Sequence, residues 1–139
     1  MSGKIIHKHL GYRVFGCAFD VYKKIGPFYR ETIYQKAMEV ALGTAGLRYE
    51  RQVPVPVEFG GQVIGHGVMD LVVEGKIVLE LKAIEQLHPD FVSQVIQYLA
   101  SSEMELGILL NFGALCKLQY KRVVLTSEAR EKHERAREI

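Results

Sequence analysis

The chain has 139 residues, of which 48% are hydrophobic and 24% charged, and its formal net charge is +2 at pH 7. Length and hydrophobic content predict that residues 1–139 form a single folded domain, which excludes a disordered chain. The weak positive charge permits nucleic-acid binding without arguing for it. No apolar run is long enough to span a membrane or to form a signal peptide.

The two cysteines, Cys17 and Cys116, stand alone, with no CxxC motif and no ligand spacing around a histidine. They are predicted to be buried thiols of a reducing compartment rather than disulfide partners or metal ligands. Together with the missing signal peptide, they predict a cytoplasmic protein.

Two helices are predicted at the start of the chain. From about Ile5 to Lys24 apolar side chains recur at helical spacing, and Gly26-Pro27 then breaks the pattern. A second helix is predicted from about Tyr29 to Leu42, ended by Gly43 and Gly46. Its apolar stripe is predicted to comprise Ile33, Ala37, Met38 and Ala41.

Three antiparallel strands are predicted next, joined by hairpin turns at Gly60-Gly61 and Glu74-Gly75. In the first strand, "VPVPV" alternates as a strand does, and its two prolines place it at a sheet edge or at an irregular point. The second strand contains "HGVMD" and the third contains "KIVLELKA".

The rest of the chain predicts a helix, two strands and a last helix. "PDFVSQVIQYLASS" begins a helix near Pro89, with a buried face predicted to comprise Phe91, Val92, Val95, Ile96 and Leu99. "LGILLNF" predicts a central strand buried on both faces, and "KLQYKRVVL" a further strand. "TSEAREKHERAREI" predicts a charged helix capped by Thr126 or Ser127. The order ααβββαββα predicts an α/β (α+β) chain with a mixed sheet flanked by helices.

The third strand raises the question of function because it carries Glu80 and Lys82 inside an apolar run. Burying a charge is costly unless the charge is paired or bound to a metal. Residues two apart in a strand point to one face. A three-residue loop from Glu74 to Lys76 would place Asp70 directly opposite Glu80, whereas a two-residue loop would pair Asp70 with Leu79.

Directly opposed carboxylates at positions 70 and 80 would destabilise a sheet, unless they share a cation. Mg²⁺ and Mn²⁺ take carboxylate oxygens as ligands, with water and phosphate completing the shell. The ammonium of Lys82 could then stabilise developing phosphate charge or orient the attacking water. The alternative is a solvated strand face, since Glu and Lys two apart are common on exposed strands.

Two helices contribute further candidates. Glu31 lies three and seven residues before Tyr34 and Met38, at the edge of the buried stripe and near the helix N-terminus, where a carboxylate is favourable in any case. Gln94 and Tyr98 are four apart and share one face of the third helix. Each pattern alone is also typical of an ordinary boundary position on a helix.

In chain order, the candidates resemble the motif of the PD-(D/E)XK nuclease superfamily: Glu31, Asp70, Glu80-Leu81-Lys82 and Gln94-x-x-x-Tyr98. The order of helix, three strands, helix and strand is similar to the restriction-endonuclease-like core of that superfamily. More narrowly, the chain resembles the small GxxExxY proteins, from "IGPFYRETIYQKAMEVAL" through "LELKAIEQL" to "GILLNFGA" and "KRVV". The resemblance spans about residues 5–124.

The chain departs from these patterns at two positions. In the motif that names the GxxExxY family, Glu31 and Tyr34 match, but Phe28 stands where the first Gly is expected. The proline that precedes the superfamily's Asp is replaced by Met69, before Asp70. The carboxylates themselves are kept at both places.

The resemblance implies a Mg²⁺- or Mn²⁺-dependent nuclease that hydrolyses phosphodiester bonds of DNA, or less favourably RNA, with metal-activated water. It implies Lys82 as the residue that positions or activates water. Gln94 and Tyr98 would buttress the site and contact the nucleic-acid backbone. The metal ligands would be Asp70, Glu80 and, directly or through water, Glu31.

Two other functions fit the same pattern. One is a non-catalytic adaptor that keeps the fold and binds nucleic acid or protein, and the other is a small-molecule phosphate hydrolase. The complete set of Asp70, Glu80 and Lys82 favours the enzyme, whereas small size and weak charge favour the adaptor. A homodimer, predicted from the long apolar first helix and the charged last one, would place two sites along one duplex.

Overall fold

The computed structural model describes residues 5–137 and contains four helices and five strands in that range. The elements are α1 (Lys8–Ile25), α2 (Glu31–Thr44), β1 (Tyr49–Phe59), β2 (Gln62–Val73), β3 (Ile77–Lys82), α3 (Pro89–Ser102), β4 (Leu106–Asn111), β5 (Gln119–Val124) and α4 (Ser127–Arg137). The predicted order ααβββαββα is confirmed, and so is the α+β class with a mixed sheet flanked by helices.

The five strands form one sheet in the order β1-β2-β3-β4-β5. All neighbours are antiparallel except β3 and β4, which are parallel and are joined by the crossover helix α3. β1 is an edge strand, as its prolines Pro54 and Pro56 predicted, since a residue without an N–H is tolerated there. β4 is buried along its whole length, as predicted, but the middle strand of the sheet is β3.

Helices cover both faces of the sheet. Leu79 and Leu81 of β3 pack into the core cluster beneath α1 and α2. Val78 points the other way and packs with α3 residues such as Val95 and Leu99. Because strand side chains alternate, Glu80 lies on the α3 face with Val78. The Glu80 side chain therefore lies between the sheet and α3.

Two of the predicted helix stripes are wrong in detail. In α2, Ile33 is 41% exposed, while Tyr34, Met38 and Leu42 are fully buried. In α3, Ile96 is 42% exposed. Both helices carry apolar residues on adjacent positions, so periodicity alone could not tell which of two neighbouring stripes faces the sheet. Gly43 is also inside α2 rather than at its end.

The remaining sequence expectations concern the cysteines and the last helix. Cys17 is buried as predicted, but Cys116 is exposed, because it lies in the loop between β4 and β5. Of the two predicted caps of α4, Thr126 accepts a hydrogen bond from the N–H of Ala129 at 3.1 Å. Among residues 5–137, no helix has both the length and the apolar character needed to cross a membrane.

Candidate functional site

The hairpin between β2 and β3 brings the two candidate metal-ligating carboxylates together. Its loop has three residues, 74–76, and Leu71 lies opposite Leu79. Continued by one residue, this register places Asp70 across from Glu80, which was the first of the two alternatives left open by the sequence. The strand pairing stops at Leu71 and Leu79, so the strands separate where the carboxylates begin.

Asp70 lies at a break in the ladder on its other side as well. The pairing of β1 with β2 passes from Arg51 opposite Leu71 to Val53 opposite Met69, which omits the pair formed by Gln52 and Asp70. Gln52 has a φ of 48°, a left-handed conformation uncommon in a strand. The carboxylate of Asp70 bonds instead to β3, because its Oδ2 accepts a hydrogen bond from the N–H of Leu81 at 2.8 Å. Side-chain contacts therefore hold Asp70 where the ladder does not.

Glu80 and Lys82 are both withdrawn from solvent. Glu80 is 4% exposed, and its Oε2 lies 3.5 Å from Nζ of Lys82. The same Nζ lies 4.5 Å from the centroid of the Phe91 ring of α3, a cation–π contact. The ammonium is therefore fixed between a carboxylate and an aromatic face, which meets the requirement that a buried charge be paired.

Burial raises the pKa of Glu80 from 4.5 to about 8, with further increases from the charge of Asp70 and a hydrogen bond to it, against a lowering by Lys82. The Glu80 carboxyl group therefore retains a proton at neutral pH in the metal-free protein. When the carboxyl groups of Asp70 and Glu80 are both ionised, neither can donate a hydrogen bond to the other. Oε1 of Glu80 is buried and, among the described residues, has no hydrogen-bond partner.

This arrangement fits a hard divalent cation. Two opposed carboxylates, one with a buried oxygen free of hydrogen bonds, supply the oxygen ligands that Mg²⁺ and Mn²⁺ prefer, and a cation would relieve their repulsion. Within residues 5–137 there is no cluster of three or more His, Cys, Asp or Glu side chains arranged to hold a metal. Water and a substrate phosphate would therefore have to complete the shell.

Glu31, in the first turn of α2, is an exposed residue. Partial burial and the charge of Asp70 raise its pKa, and Lys82 lowers it. The side chain is therefore within electrostatic range of both groups, as expected for a carboxylate at the edge of the site.

Tyr34 explains why α2 begins where it does. Its hydroxyl donates to the carbonyl of Gly26 and accepts from the N–H of Tyr29 at 3.2 Å. Its ring stacks on Phe112, with 4.7 Å between centroids and 8° between planes. Tyr34 therefore anchors the turn that presents Glu31, which is a structural role rather than a contact with substrate.

Gln94 and Tyr98 of α3 lie on the same side of the sheet as the carboxylates. Tyr98 is 7% exposed, and burial, followed by the charges of Glu80 and Asp70, raises its pKa to about 12. The phenol therefore stays neutral at physiological pH. Oε1 of Gln94 is buried and has no hydrogen-bond partner in the described part of the chain, so an acceptor beside the site is free.

Sequence reasoning missed two residues that hydrogen-bond to the backbone around the site. Asn111 is buried, and its side-chain amide bonds to both the N–H and the carbonyl of Ile84, at 3.0 and 2.9 Å. It thereby fixes the loop that directly follows Lys82. Gln35, four residues after Glu31, donates to the backbone carbonyl of Asp70 at 3.2 Å. A spacing of four on one helix face was the available signal for Gln35.

The metal-free protein is expected to lose stability as the pH rises from about 4.5 to about 8. Because the pKa of Glu80 is raised by folding, the folded state holds a proton in this interval that the unfolded chain has released, so the free energy of unfolding falls with pH. The contribution of Glu80 to this slope cannot exceed about 1.4 kcal/mol per pH unit. Urea unfolding with a chelator present measures it. The Glu80→Gln variant should remove this contribution and leave that of Glu31, whose pKa is also raised, and an unchanged slope would refute the assignment.

Gly67→Ala is expected to displace Tyr98. A Cβ on Gly67 would lie 2.5 Å from Cε1 of Tyr98, whose buried ring has little room to move. Overpacking of this kind costs about 1–3 kcal/mol. Gly65→Ala is the matched control, because a Cβ there meets no described atom within 4 Å. Denaturant unfolding measures the free energy of unfolding of both variants. Equal values would contradict the close contact between Gly67 and Tyr98.

Comparisons with known proteins show the family of this chain and a solved structure with a similar fold. A family model for the PD-(D/E)XK nuclease superfamily matches residues 8–123. Among solved structures, the crystal structure of SSO0001 is similar with a TM-score of 0.55 and 21% identity, over 75% of this chain and 56% of that chain. The chain thus spans little more than half the length of that neighbour, and the likeness concerns the fold. No curated protein gives a significant match. The family model covers most of the chain, which therefore belongs to the PD-(D/E)XK nuclease superfamily.

Proposed function

We propose that the protein is a divalent-metal-dependent nuclease that hydrolyses phosphodiester bonds of DNA, with RNA as a second substrate class. The observation that carries this proposal is the pair Asp70 and Glu80, with a buried carboxylate oxygen free of hydrogen bonds, beside the fixed ammonium of Lys82. A structural face would gain nothing from opposed carboxylates in a nearly dry position. Superfamily membership supports a nucleic-acid substrate.

The metal ligands in this proposal are Asp70 and Glu80, with Glu31 reaching the ion or its water shell. Asp70 is held by the N–H of Leu81, so one oxygen is committed to the backbone and the other is left for the ion. Bound Mg²⁺ or Mn²⁺ supplies Lewis-acid chemistry: it lowers the pKa of water and offsets charge on the phosphate.

The proposed role of Lys82 is to orient the attacking water and to stabilise charge that develops on the phosphate oxygens. The ammonium of Lys82 has three N–H donors, and the contact with Glu80 does not use all of them. The ring of Phe91 limits the movement of this ammonium. A donor already held in place loses little conformational entropy during the reaction. Lys82 is therefore the catalytic residue of this proposal that does not bind the ion.

Gln94 and Tyr98 are proposed to buttress the site and to bind the nucleic-acid backbone. The neutral phenol of Tyr98 can donate to a phosphate oxygen, and its proton is retained because burial, followed by the charges of Glu80 and Asp70, raises its pKa. The amide of Gln94 can accept or donate beside it. Such contacts hold the scissile phosphate without reading bases.

We further propose that the chain belongs to the GxxExxY group of the superfamily. The support is that Glu31 lies within electrostatic range of Asp70 and Lys82, while Tyr34 anchors the start of its helix, so the two retained motif positions have distinct and compatible roles. A cytoplasmic location, a homodimer and a protein partner stay predictions from the sequence.

The experiment that tests the function is cleavage of end-labelled single-stranded DNA, duplex DNA and RNA, with Mg²⁺, with Mn²⁺ and with a chelator. The nuclease proposal is supported if any of these nucleic acids is cleaved in a metal-dependent way and the cleavage is lost in Glu80→Gln. Metal binding without cleavage of any substrate would favour the adaptor. Turnover confined to small phosphate esters would instead identify a small-molecule phosphate hydrolase.

A further inference from the structure

We propose that Gln35 is a positioning residue that aims the carboxylate of Asp70 by holding its backbone. This inference rests on the proposed function, because it concerns the ligand Asp70. It goes beyond that function by giving a role to a residue of α2 that contacts neither the proposed metal nor the substrate.

The need for such a residue follows from the ladder. In the described sheet, pairing of β2 stops at Leu71 on the β3 side and omits Asp70 on the β1 side. A residue inside an ordinary strand is held by backbone bonds to its neighbours. Asp70 has instead the bond from Leu81 to its carboxylate and the bond from Gln35 to its carbonyl. One bond fixes the side chain, and the other fixes the peptide behind it.

The orientation of the Gln35 amide is set by a third residue. Nε2 of Gln35 donates to the carbonyl of Asp70 at 3.2 Å, while Oε1 accepts from Nε2 of Gln52 at 2.8 Å. A flipped amide would place two acceptors together at Asp70 and two donors together at Gln52, so only one orientation satisfies both contacts. Gln52 is the strand residue with positive φ that opposes Asp70. The same irregularity therefore breaks the ladder and supplies the partner of Gln35.

The chemical consequence is that α2 presents two residues to the site from one face. Glu31 lies within electrostatic range of Asp70 and Lys82, and Gln35, one turn later, donates to the backbone carbonyl of Asp70. Groups that orient a metal ligand commonly change metal affinity by ten- to a hundredfold when removed. Gln35 fits that role by contact and by position.

The test is Mn²⁺ titration calorimetry on wild type, Gln35→Leu and Gln62→Leu. Gln62 is an exposed residue at the tip of the β1–β2 hairpin and provides the same chemical change away from the site. We expect Gln35→Leu to weaken the Kd about ten- to a hundredfold, and Gln62→Leu to leave it unchanged. A purely structural role would lower the melting temperature of the metal-free protein without moving the Kd.

A second readout needs neither metal nor activity. The N–H of Leu81 donates to Asp70, so the loss of the Gln35 contact in Gln35→Leu should speed hydrogen exchange at the Leu81 amide. The amide of Leu79, where pairing with β2 is intact, should stay protected. If Gln35→Leu does not fold, Gln52→Ala removes the partner of the Gln35 amide from an exposed position and should show the same changes in weaker form.

The outcomes separate this inference from the function on which it rests. Wild type that binds no Mn²⁺ would overturn the proposed function. Wild type that binds Mn²⁺, with unchanged Kd and unchanged Leu81 exchange in Gln35→Leu, would overturn the positioning role alone. A Kd that weakens together with faster exchange at Leu81 supports both.

Discussion

Replacement of Asp70 by asparagine is expected to abolish Mn²⁺ binding and DNA cleavage while leaving the metal-free protein at least as stable as wild type. The variant loses a charged ligand. Removing a residue that only orients a ligand already weakens metal affinity about ten- to a hundredfold, so the affinity for Mn²⁺ should fall by more than about a hundredfold. Stability should not fall, because the asparagine oxygen can still accept from the N–H of Leu81 and no longer repels Glu80.

The matched control for this variant is Asp20→Asn. Asp20 is an exposed carboxylate of α1 that pairs with Lys24 at 3.2 Å, on the helix layer opposite α3. The control should keep binding and cleavage at wild-type values. Calorimetry, a cleavage assay and urea unfolding of both variants are the measurements. Full cleavage by Asp70→Asn, or a large drop in its stability, would refute the metal-ligand role.

Lys82→Met is expected to lower cleavage by about a hundred- to a thousandfold, the effect of removing a fixed donor from a reacting oxyanion, while Mn²⁺ binding is kept. Methionine retains an apolar stem to pack on Phe91, so the variant removes the ammonium with little loss of packing. Binding should not weaken, because the lost positive charge lies 3.5 Å from the proposed ligand Glu80 and would compete with the ion.

Lys121→Met, on the edge strand β5, is the control for the same chemical change at an exposed lysine. The rate of cleavage at saturating Mn²⁺ and the Kd for Mn²⁺ are measured on both variants. Lys82→Arg then separates two roles: a guanidinium keeps the charge but gives up no proton. Partial recovery in Lys82→Arg indicates charge stabilisation. Wild-type cleavage by Lys82→Met would show that the ammonium is structural.

The strand and helix order followed from the sequence because its signals are local. Alternation, prolines and Gly-containing turns define β1 to β3, and one long apolar run defines β4. The stripes of α2 and α3 were less certain, since Ile33 and Ile96 sit beside the residues that face the sheet. Which of two adjacent apolar residues is buried depends on where the helix docks, and docking is a tertiary property.

The geometry of the carboxylates could not be predicted for the same reason. The turn at Glu74-Gly75 allowed two registers, and the structure has the three-residue loop. Glu74 is tied to Arg48, whose backbone N–H donates to its carboxylate at 2.6 Å. That contact joins residues 26 apart in the chain, so no local pattern reveals it. The break at Asp70 depends likewise on the positive φ of Gln52.

The roles of the helix residues were implied by the family resemblance rather than by their spacing. Spacing placed Gln94 and Tyr98 on one face, but an ordinary boundary pair has the same spacing. The structure adds that Tyr98 is buried against Gly67 and that the Gln94 oxygen is buried beside it. Gln35 shares a helix face with Glu31, four residues earlier, but that spacing does not reveal its partner in a distant strand.

The most direct test of the account is calorimetric titration of Mn²⁺ into the wild-type protein, repeated in buffers of different ionisation enthalpy. The account predicts saturable binding that releases protons below about pH 8, because the proton held by Glu80 must leave when the ion binds. The Glu80→Gln variant should bind far more weakly and release none. Absence of saturable heat at millimolar Mn²⁺ would contradict the account, and Asp70, Glu80 and Lys82 would then be a charged strand face of a non-catalytic adaptor.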